Sequence, residues 1–339
     1  MEHLEPPDAN AANRKQDHIG LALRSQIKNT DDRFYYEPLL ARHPHKELPS
    51  KILLGKTFKV PMWVSSMTGG TAMARTINHN LAKACGQYGM GMGLGSCRQL
   101  LYSDEYFKDF DVRHLIGEQP LYANLGIAQV ETMLAKGEID KIEALVRKLQ
   151  ADGLIVHINP LQEWLQPEGD HISRPPIETI SELLLLSDLK VIVKEVGQGM
   201  GYESLKALLL LPIQALDFAA SGGTNFAMLE LLRSSDSHRQ YFEPLAYVGH
   251  TAEQMVRMTN ELVQEIGQEK VLCKQIIISG GVQNFLDGYY LMEKLCLPSV
   301  YGQAAAFLKH AQGQYSQLQE FIEAQISGLS VAMQFLRVR

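Results

Sequence analysis

Short apolar runs alternate with longer helical patterns along most of this chain, and no other feature constrains the possible folds as strongly. Each run has the length and composition of a buried strand. The strand candidates are residues 60–66, 90–95, 121–125, 153–158, 191–196, 215–219, 275–279 and 299–302. Helical patterns occupy residues 74–88, 130–150, 177–187, 202–211, 252–267 and 284–295. The apolar residues in one of these patterns recur at the spacing of a single helical face: Ile139, Ile142, Leu145, Val146 and Leu149.

Eight strands separated by crossovers predict an α/β fold, specifically a (β/α)8 TIM barrel of parallel strands. The competing fold is an open, doubly wound sheet, which usually carries a GxGxxG pattern after its first strand. Here the first run is followed by Met67, Thr68, Gly69 and Gly70, which do not form that pattern. In a barrel, the chemistry gathers where the strands end, so residues that follow the runs are the candidates for function.

The domain organisation follows from length and from the flanking segments. A chain of 339 residues with 45% hydrophobic content fits one barrel. We predict a flexible N-terminal segment over residues 1–13 and a single barrel domain over 14–339. Residues 315–336 are amphipathic and predict a helical extension that packs outside the barrel or on a partner subunit. Residues 221–249, after the sixth strand, are predicted to lie over the barrel mouth as a lid.

Charge and cysteine usage exclude several classes of function. The formal net charge of −6 argues against nucleic acid as a partner. No apolar run reaches the roughly 20 residues that span a bilayer, and the polar N-terminus has no apolar signal core, so a cytoplasmic protein is expected. The cysteines lack the CxxC spacing of a zinc cluster and are too few for a disulfide scaffold: Cys85, Cys97, Cys273 and Cys296.

Four polar residues at the end of the fourth run are the strongest catalytic candidates. They are His157, Asn159, Gln162 and Glu163, which follow the apolar residues 153–156. Each of them can donate or accept a hydrogen bond or bind a metal. Taken singly, His157 could also be a core histidine and Asn159 a turn residue before Pro160.

Turns of glycine and other small residues follow the last three runs. Such turns let the backbone approach a ligand, so that free N–H groups face an anion. The loops after strands seven and eight commonly hold phosphate in this fold. The sequence therefore predicts a phosphate site at three segments: Ser221-Gly222-Gly223-Thr224, Ser279-Gly280-Gly281-Val282 and Gly302-Gln303-Ala304-Ala305-Ala306.

Other strand ends suggest a flavin. Thr68, Ser96 and Asn124 offer the neutral hydrogen bonds that the edge of a flavin ring requires. Lys194 emerges from a buried run, where a cation is costly unless it is paired or faces a ligand. Near a flavin it would stabilise the anionic reduced ring. The alternative is a structural ion pair with Glu195 or another acid, although strand alternation should send Lys194 and Glu195 to opposite faces.

An ordered set of these motifs resembles type 2 isopentenyl-diphosphate Δ-isomerase, a family of FMN-dependent (β/α)8 enzymes. The resemblance extends from about Arg14 to Leu308, and the motifs are spread along most of that length. The motifs are Arg14-Lys15-x-x-His18, Met67-Thr68-Gly69-Gly70, Gly95-Ser96-x-Arg98, Asn124, the set from His157 to Glu163, Lys194-Glu195-Val196-Gly197, Gly222-Gly223-Thr224-Asn225-Phe226 and Ser279-Gly280-Gly281.

The resemblance implies interconversion of isopentenyl and dimethylallyl diphosphate by allylic proton transfer. It implies reduced FMN, with NADPH as the reductant, and a homo-oligomer. The implied FMN residues are Met67, Thr68, Gly69, Ser96, Asn124, Lys194, Thr224, Gly280, Gly281, Ala304 and Ala305. The implied substrate residues are Arg14, Lys15 and His18 on an N-terminal arm, together with Arg98 and Gln162. His157, Asn159 and Gln162 are the implied catalytic residues, and Glu163 is the implied ligand of Mg²⁺.

The chain departs from the family pattern at three places. Val248 replaces a Trp, residues 219–221 lack a further Gly, and residues 305–306 lack a Pro. One alternative is another FMN barrel, such as a 2-hydroxy-acid oxidase, but that chemistry uses a His-Gly-Gly-Arg turn and residues 221–224 contain neither His nor Arg. The others are a flavin or prenyl-phosphate binding protein without turnover, and a barrel enzyme that uses a phosphorylated ligand without flavin.

Overall fold

A computed structural model of the chain describes residues 11–44, 47–65 and 72–339. The strands are β1 Phe34–Tyr36, β2 Lys51–Leu53, β3 Lys56–Phe58, β4 Met62–Val64, β5 Gly91–Gly93, β6 Leu121–Gly126, β7 Gly153–His157, β8 Val191–Lys194, β9 Ala215–Asp217, β10 Ile276–Ser279, β11 Ser299–Gln303 and β12 Leu336–Val338. The helices are α1 Ala11–Leu21, α2 Ala72–Tyr88, α3 Phe107–Phe110, α4 Arg113–Ile116, α5 Ile127–Ala135, α6 Ile139–Lys148, α7 Pro160–Leu165, α8 Pro176–Leu186, α9 Tyr202–Leu209, α10 Phe226–Arg233, α11 Asp236–Ala246, α12 Ala252–Ile266, α13 Phe285–Lys294, α14 Ala305–Ala311 and α15 Tyr315–Phe335. A short 3₁₀ helix spans Arg98–Leu101.

Strands β4 to β11 form a closed barrel in chain order, and β11 pairs with β4 to complete it. Neighbouring strands are parallel throughout. Each strand lies within, or one residue beyond, one of the eight apolar runs. The predicted (β/α)8 fold is therefore confirmed.

The barrel is filled by large apolar side chains. Trp63 and Tyr122 meet edge to face, with ring centroids 6.1 Å apart, and they pack with Ile155, Ile192 and Ile277. The hairpin of β2 and β3 closes the N-terminal end, because its Leu53, Leu54 and Phe58 belong to the same cluster. The barrel is thus a packed core below its mouth, which leaves the C-terminal strand ends for chemistry.

One predicted helix is wrong in its extent. Residues 130–150 were predicted as a single helix, but the structure has two, α5 and α6. Gly137 lies between them with φ of +66°, in the left-handed region that ends helices. Its N–H donates to the carbonyl of Leu134. The apolar face predicted from Ile139 onward belongs to α6, whose Ile142, Leu145 and Val146 are buried.

The segments around the barrel take the following positions. The predicted lid, residues 221–249, contains α10 and α11, and Leu231 and Ala246 pack with Leu165 of α7. The C-terminal helix α15 packs outside the barrel on α13, α14 and α2, and β12 beyond it pairs with β1. Helix α1 begins at Ala11, inside the predicted 1–13 segment, and side chains 13–32 are exposed. No helix in the described ranges combines the length and the apolar character needed to cross a bilayer.

The contact between α13 and the barrel provides a test of the packing. A Cβ atom added at Gly288 would lie 2.5 Å from Cγ of the fully buried Tyr301. We expect Gly288→Ala to lower the free energy of unfolding by about 1–3 kcal/mol through overpacking, measured by urea denaturation. Gly20→Ala is the control, because nothing lies within 4 Å of its added Cβ. Equal stability of the two variants would contradict this packing.

Candidate active site

A layer of polar side chains lies directly above the apolar core of the barrel. Side chains of a strand alternate between its faces, so the residue two positions beyond an inward apolar residue also faces inward. The core residues Trp63, Tyr122, Ile155, Ile192, Ala215 and Ile277 are followed in this way by polar residues. This polar layer consists of Ser65, Asn124, His157, Lys194, Asp217 and Ser279. The strand register agrees, because His157 pairs with Lys194 and Lys194 pairs with Asp217.

His157 is held as a neutral imidazole within this layer. Its Nδ1 lies 2.8 Å from Oδ1 of Asn124, whose own amide group donates to the carbonyl of Leu94 at 2.9 Å. Because that second bond directs Oδ1 towards the ring, Nδ1 of His157 carries the proton and Nε2 is left as an acceptor. Burial lowers the pKa of His157 from 6.5 to about 3, and the positive charge of Lys194 acts in the same direction.

Lys194 and Asp217 are the charged members of the polar layer. Lys194 is buried and donates to the carbonyl of Glu195 at 2.8 Å. Asp217 is fully buried, and its Oδ1 accepts a short hydrogen bond from Ser279, whereas its Oδ2 has no partner in the described part of the chain. Burial raises the pKa of Asp217, and the positive charge of Lys194 opposes that rise.

The predicted alternation of Lys194 and Glu195 is confirmed. Oε2 of Glu195 accepts from the backbone N–H groups of Gly197, Gln198 and Gly199, and no ion pair with Lys194 forms. The two side chains line different cavities. Glu195 is therefore not the acid that compensates Lys194, and the nearest acid in the strand register is Asp217.

The three small-residue turns meet around one cavity of about 320 Å³, which we call the glycine-walled cavity. Gly280 has φ of +85°, and a Cβ there would lie 2.0 Å from the carbonyl oxygen of Ala220. Ser65 Oγ and Gln303 Oε1, from two lining residues, are buried without a partner among the described residues. Predicted residues that line this cavity are Lys194, Thr224, Gly280, Gly281, Ala304 and Ala305.

The other predicted flavin residues are placed differently. Asn124 is buried in the polar layer and does not line the cavity. Ser96 is exposed and does not line it either. Met67, Thr68 and Gly69 lie outside the described residues.

A hydrogen-bonded chain of side chains follows β7. Asn159, which is buried, donates from Nδ2 to Gln162 Oε1 at 3.2 Å and to Glu163 Oε1 at 2.8 Å. Gln162 donates in turn to Glu230 Oε1 at 3.1 Å, and Glu230 pairs with Arg233 at 2.7 Å. Oδ1 of Asn159 is buried without a partner in the ranges described. Pro160 at the start of α7 turns the chain so that Gln162 and Glu163 return towards Asn159.

Asp170 links this chain to the predicted substrate arginine. Its N–H donates to Glu163 Oε2 at 2.7 Å, and its carboxylate pairs with Arg98 at 2.5 Å. Gln129 donates to the same carboxylate at 2.7 Å. Arg98 thus lies one residue away from the predicted metal ligand. The remaining predicted substrate residues, Arg14, Lys15 and His18, are exposed on α1 and line neither cavity described for the mouth.

Comparison with known proteins decides the family. No protein-family model matches the chain. A protein of Rickettsia prowazekii (strain Madrid E), named isopentenyl-diphosphate delta-isomerase, is 33% identical over 327 residues, which is 94% of this chain and 92% of that protein. A protein of the same name from Rickettsia akari (strain Hartford) is 33% identical over 330 residues, with the same coverage. This chain belongs to the isopentenyl-diphosphate delta-isomerase family.

Solved structures outside the isopentenyl-diphosphate delta-isomerase family share the fold. The flavin-binding domain of baker's yeast flavocytochrome b2 matches with a TM-score of 0.60 at 15% identity, over 89% of this chain and 72% of that one. A mandelate oxidase variant matches with a TM-score of 0.57 at 12% identity, over 90% of this chain and 82% of that one. At such identities the likeness shows the barrel alone.

One departure from the isomerase pattern has a structural consequence. Ala219, in the segment 219–221 that lacks the further Gly, has φ of +42°. A left-handed backbone costs a residue with a Cβ roughly 1–2 kcal/mol. Ala219 lines the glycine-walled cavity, so this strain is located at the candidate site. Val248, which replaces the usual Trp, is exposed, and its carbonyl accepts from Gln198 at 2.6 Å.

Sequence reasoning missed four residues of the site. Asp217 could have been found from the sequence, because an acid within the apolar run 215–219 is unusual. Glu230 follows the helical period of α10, but its burial depends on the packing of α7. Asp170 and Gln129 had no local signal for the site, because the side-chain contacts that place them there, Arg98 with Asp170 and Gln129 with Asp170, join distant parts of the chain.

The neutral state of His157 is testable by NMR. Its folded-state pKa of about 3 lies below the ordinary 6.5, so the folded protein should keep the ring neutral, with the proton on Nδ1, at pH 5. Below pH 6.5 the imidazole of the unfolded chain binds a second proton, which the folded ring does not bind until about pH 3. The free energy of unfolding should therefore fall as the pH drops from 6.5 towards 3, and it should fall less steeply in His157→Gln. Imidazole nitrogen shifts measure the tautomer, with exposed His171 as a reference signal. A midpoint near 6.5 for His157 would contradict the geometry.

Proposed function

We propose that this protein is a type 2 isopentenyl-diphosphate Δ-isomerase that uses FMN and Mg²⁺. The observation that carries the proposal is the position of the polar layer. Three of its residues line the glycine-walled cavity, namely Ser65, Lys194 and Ser279. Its His157 ends β7, and the hydrogen-bonded chain of Asn159, Gln162 and Glu163 begins two residues later. This arrangement offers a place for a phosphorylated cofactor beside a place for a second, metal-bound phosphorylated ligand.

The residues of the glycine-walled cavity fit FMN. Backbone N–H groups at Gly222, Gly223, Gly280 and Gly281 would hold its phosphate, together with the start of α14 at Ala305. Lys194 would lie beside the flavin ring. The unpartnered oxygens of Ser65 and Gln303 would accept hydrogen bonds from the N–H groups of that ring. When bound in its reduced form, FMN supplies an electron-rich ring that can take part in allylic proton transfer.

The chain after β7 fits a diphosphate with its metal. Mg²⁺ prefers one or two carboxylates together with phosphate oxygens and water, so Glu163 would suffice as protein ligand. Among the described residues no cation pairs with Glu163, which leaves its charge available. Arg98, whose two terminal nitrogens pair with Asp170, would add positive charge beside the diphosphate from a fixed position. The positively charged side chains of α1 would also attract the diphosphate.

The apolar half of the substrate would lie against the polar layer. Asn159 holds Gln162 in a fixed orientation, so that Gln162 can position a proton or the ligand although it is not a strong base. Neutral His157 offers Nε2 as an acceptor and adds no charge to the layer. Exclusion of water from this region would protect the reacting carbon.

The proposal includes NADPH as the reductant, a cytoplasmic location and a homo-oligomer. Support for the oligomer comes from exposed apolar side chains in the N-terminal part of the chain. Ile19, Leu23 and Ile27 are at least three-quarters exposed, at 75%, 82% and 82%. A contiguous apolar patch on a protein surface often marks a site where another protein binds.

The test of the proposal is proton exchange by the flavin-loaded protein. After anaerobic reduction, incubation with isopentenyl diphosphate and Mg²⁺ in D₂O should give deuterium in the product and in recovered substrate. We expect Gln162→Ala and Glu163→Gln each to lower turnover by about 100-fold or more, because each removes a group that orients or charges the site. FMN content should stay unchanged in both.

Glu178→Gln is the matched control for these variants, since Glu178 is an exposed acid on α8. Wild-type turnover in Glu163→Gln would contradict the metal assignment. A yellow protein without exchange would point to a flavin or prenyl-phosphate binder. A colourless protein that takes up no FMN would refute the flavin proposal.

The charges of the polar layer predict opposite shifts of the flavin potential. Lys194 favours the anionic reduced ring, so Lys194→Met should lower the midpoint potential. Asp217→Asn should raise it, because it removes a negative charge adjacent to Lys194. We expect shifts of about 30 mV or more, which corresponds to about 1.4 kcal/mol for a two-electron couple. Spectroelectrochemistry measures both, and shifts of the same sign would contradict this assignment.

A further inference from the structure

A second and larger cavity lies behind the barrel wall, between α8 and α9. Its volume is about 610 Å³, and we call it the α8–α9 cavity. Val193 and Glu195 line it, whereas Lys194 and Val196 line the glycine-walled cavity. Because alternate residues of β8 face opposite sides, the two cavities are separated by the strand and the loop that follows it. The α8–α9 cavity is therefore distinct from the glycine-walled cavity.

The lining of this cavity is suited to an apolar molecule. The size is within the range of pockets that bind small ligands. Aliphatic side chains from three elements supply most of the wall, such as Ile158, Ile177, Ile180 and Leu208. A ligand with an aliphatic body would remove this surface from water, at about 25 cal/mol for each Å².

The polar part of the lining contains two acids beside Gln198, Ser204 and His250. Glu195 and Glu203 line the cavity, and its described lining contains no Lys or Arg. Glu195 is 9% exposed, and its Oε2 is occupied by three backbone N–H groups. Its Oε1 has no hydrogen bond to any residue of the described ranges. Burial raises the pKa of Glu195, and the three backbone N–H groups together with the charge of Lys194 oppose that rise.

We propose that the α8–α9 cavity is a binding site for a small aliphatic amine, whose ammonium group donates to Oε1 of Glu195. The backbone bonds to Oε2 hold the carboxylate in place, so that its free oxygen is preorganised for a donor. A prenyl diphosphate is excluded from this site, because two carboxylates would repel its phosphates. An uncharged alcohol would gain the same apolar contacts and donate to the same carboxylate, but without the attraction between opposite charges.

Calorimetric titration of the full-length protein with octylamine tests this site, with octanol and octanoate as probes of matched chain length. We expect saturable binding of one octylamine per chain. Octanol should bind about 10-fold more weakly, which corresponds to about 1.4 kcal/mol. Octanoate should bind more weakly still or not at all. Equal binding of octanoate and octylamine, or no saturable binding of octylamine, would overturn the proposal.

Two variants locate the binding. Glu195→Gln keeps an acceptor for the three backbone N–H groups and should abolish the preference for octylamine over octanol. Ala207→Phe places a large side chain into the cavity from α9, and it should abolish binding of both. Glu178→Gln removes a charge from α8 outside the cavity and should bind octylamine like the wild type. Undiminished octylamine binding in Ala207→Phe, with normal thermal unfolding, would place the ligand elsewhere and refute the site.

Discussion

Strand alternation inside a closed barrel places nearly every group of the candidate site. The same inward face carries Ile192 in the apolar core and Lys194 at the mouth. Ile155 and His157 are related in the same way. A slip of one residue in the register of β8 would exchange Lys194 with Glu195, and so exchange the charges of the two cavities. The packed apolar layer, with Trp63 against Tyr122, opposes such a slip because it requires every inward position to be filled.

The polar layer keeps its charge low although it holds several ionisable groups. Lys194 is a buried cation, which is costly unless something compensates for lost hydration. Asp217 beside it is the nearest source of negative charge in the strand register, and Ser279 donates to that carboxylate. His157 stays neutral, because burial and the charge of Lys194 both disfavour its protonation. One cation therefore faces the cavity without a second positive charge beside it.

Local sequence patterns correctly predicted the barrel strands and the turns around the cavity. Predictions from such patterns failed where residues distant in the chain come into contact. The eight runs are true strands because buried parallel strands are apolar throughout. The long helix predicted over 130–150 was wrong, since the apolar period hid the break at Gly137. Asp170 could not be assigned from its own neighbourhood, because its partner Arg98 lies at the start of the 3₁₀ helix after β5, 72 residues away. The buried position of Glu230 likewise required knowledge of how α10 packs on α7.

Strain at the glycine-walled cavity has a local explanation. Ala219 is left-handed, although a Gly would adopt that backbone at lower cost. Its N–H donates to Ser279 Oγ at 3.0 Å, and its carbonyl accepts from Gly199 at 3.2 Å. These two bonds join the turn after β9 to β10 and to the loop after β8. Ser279 also donates to Asp217, so the strained turn and the buried acid share one hydroxyl group. Relaxing Ala219 would break the contacts that bring the turns around the cavity together, which is why the strained backbone persists.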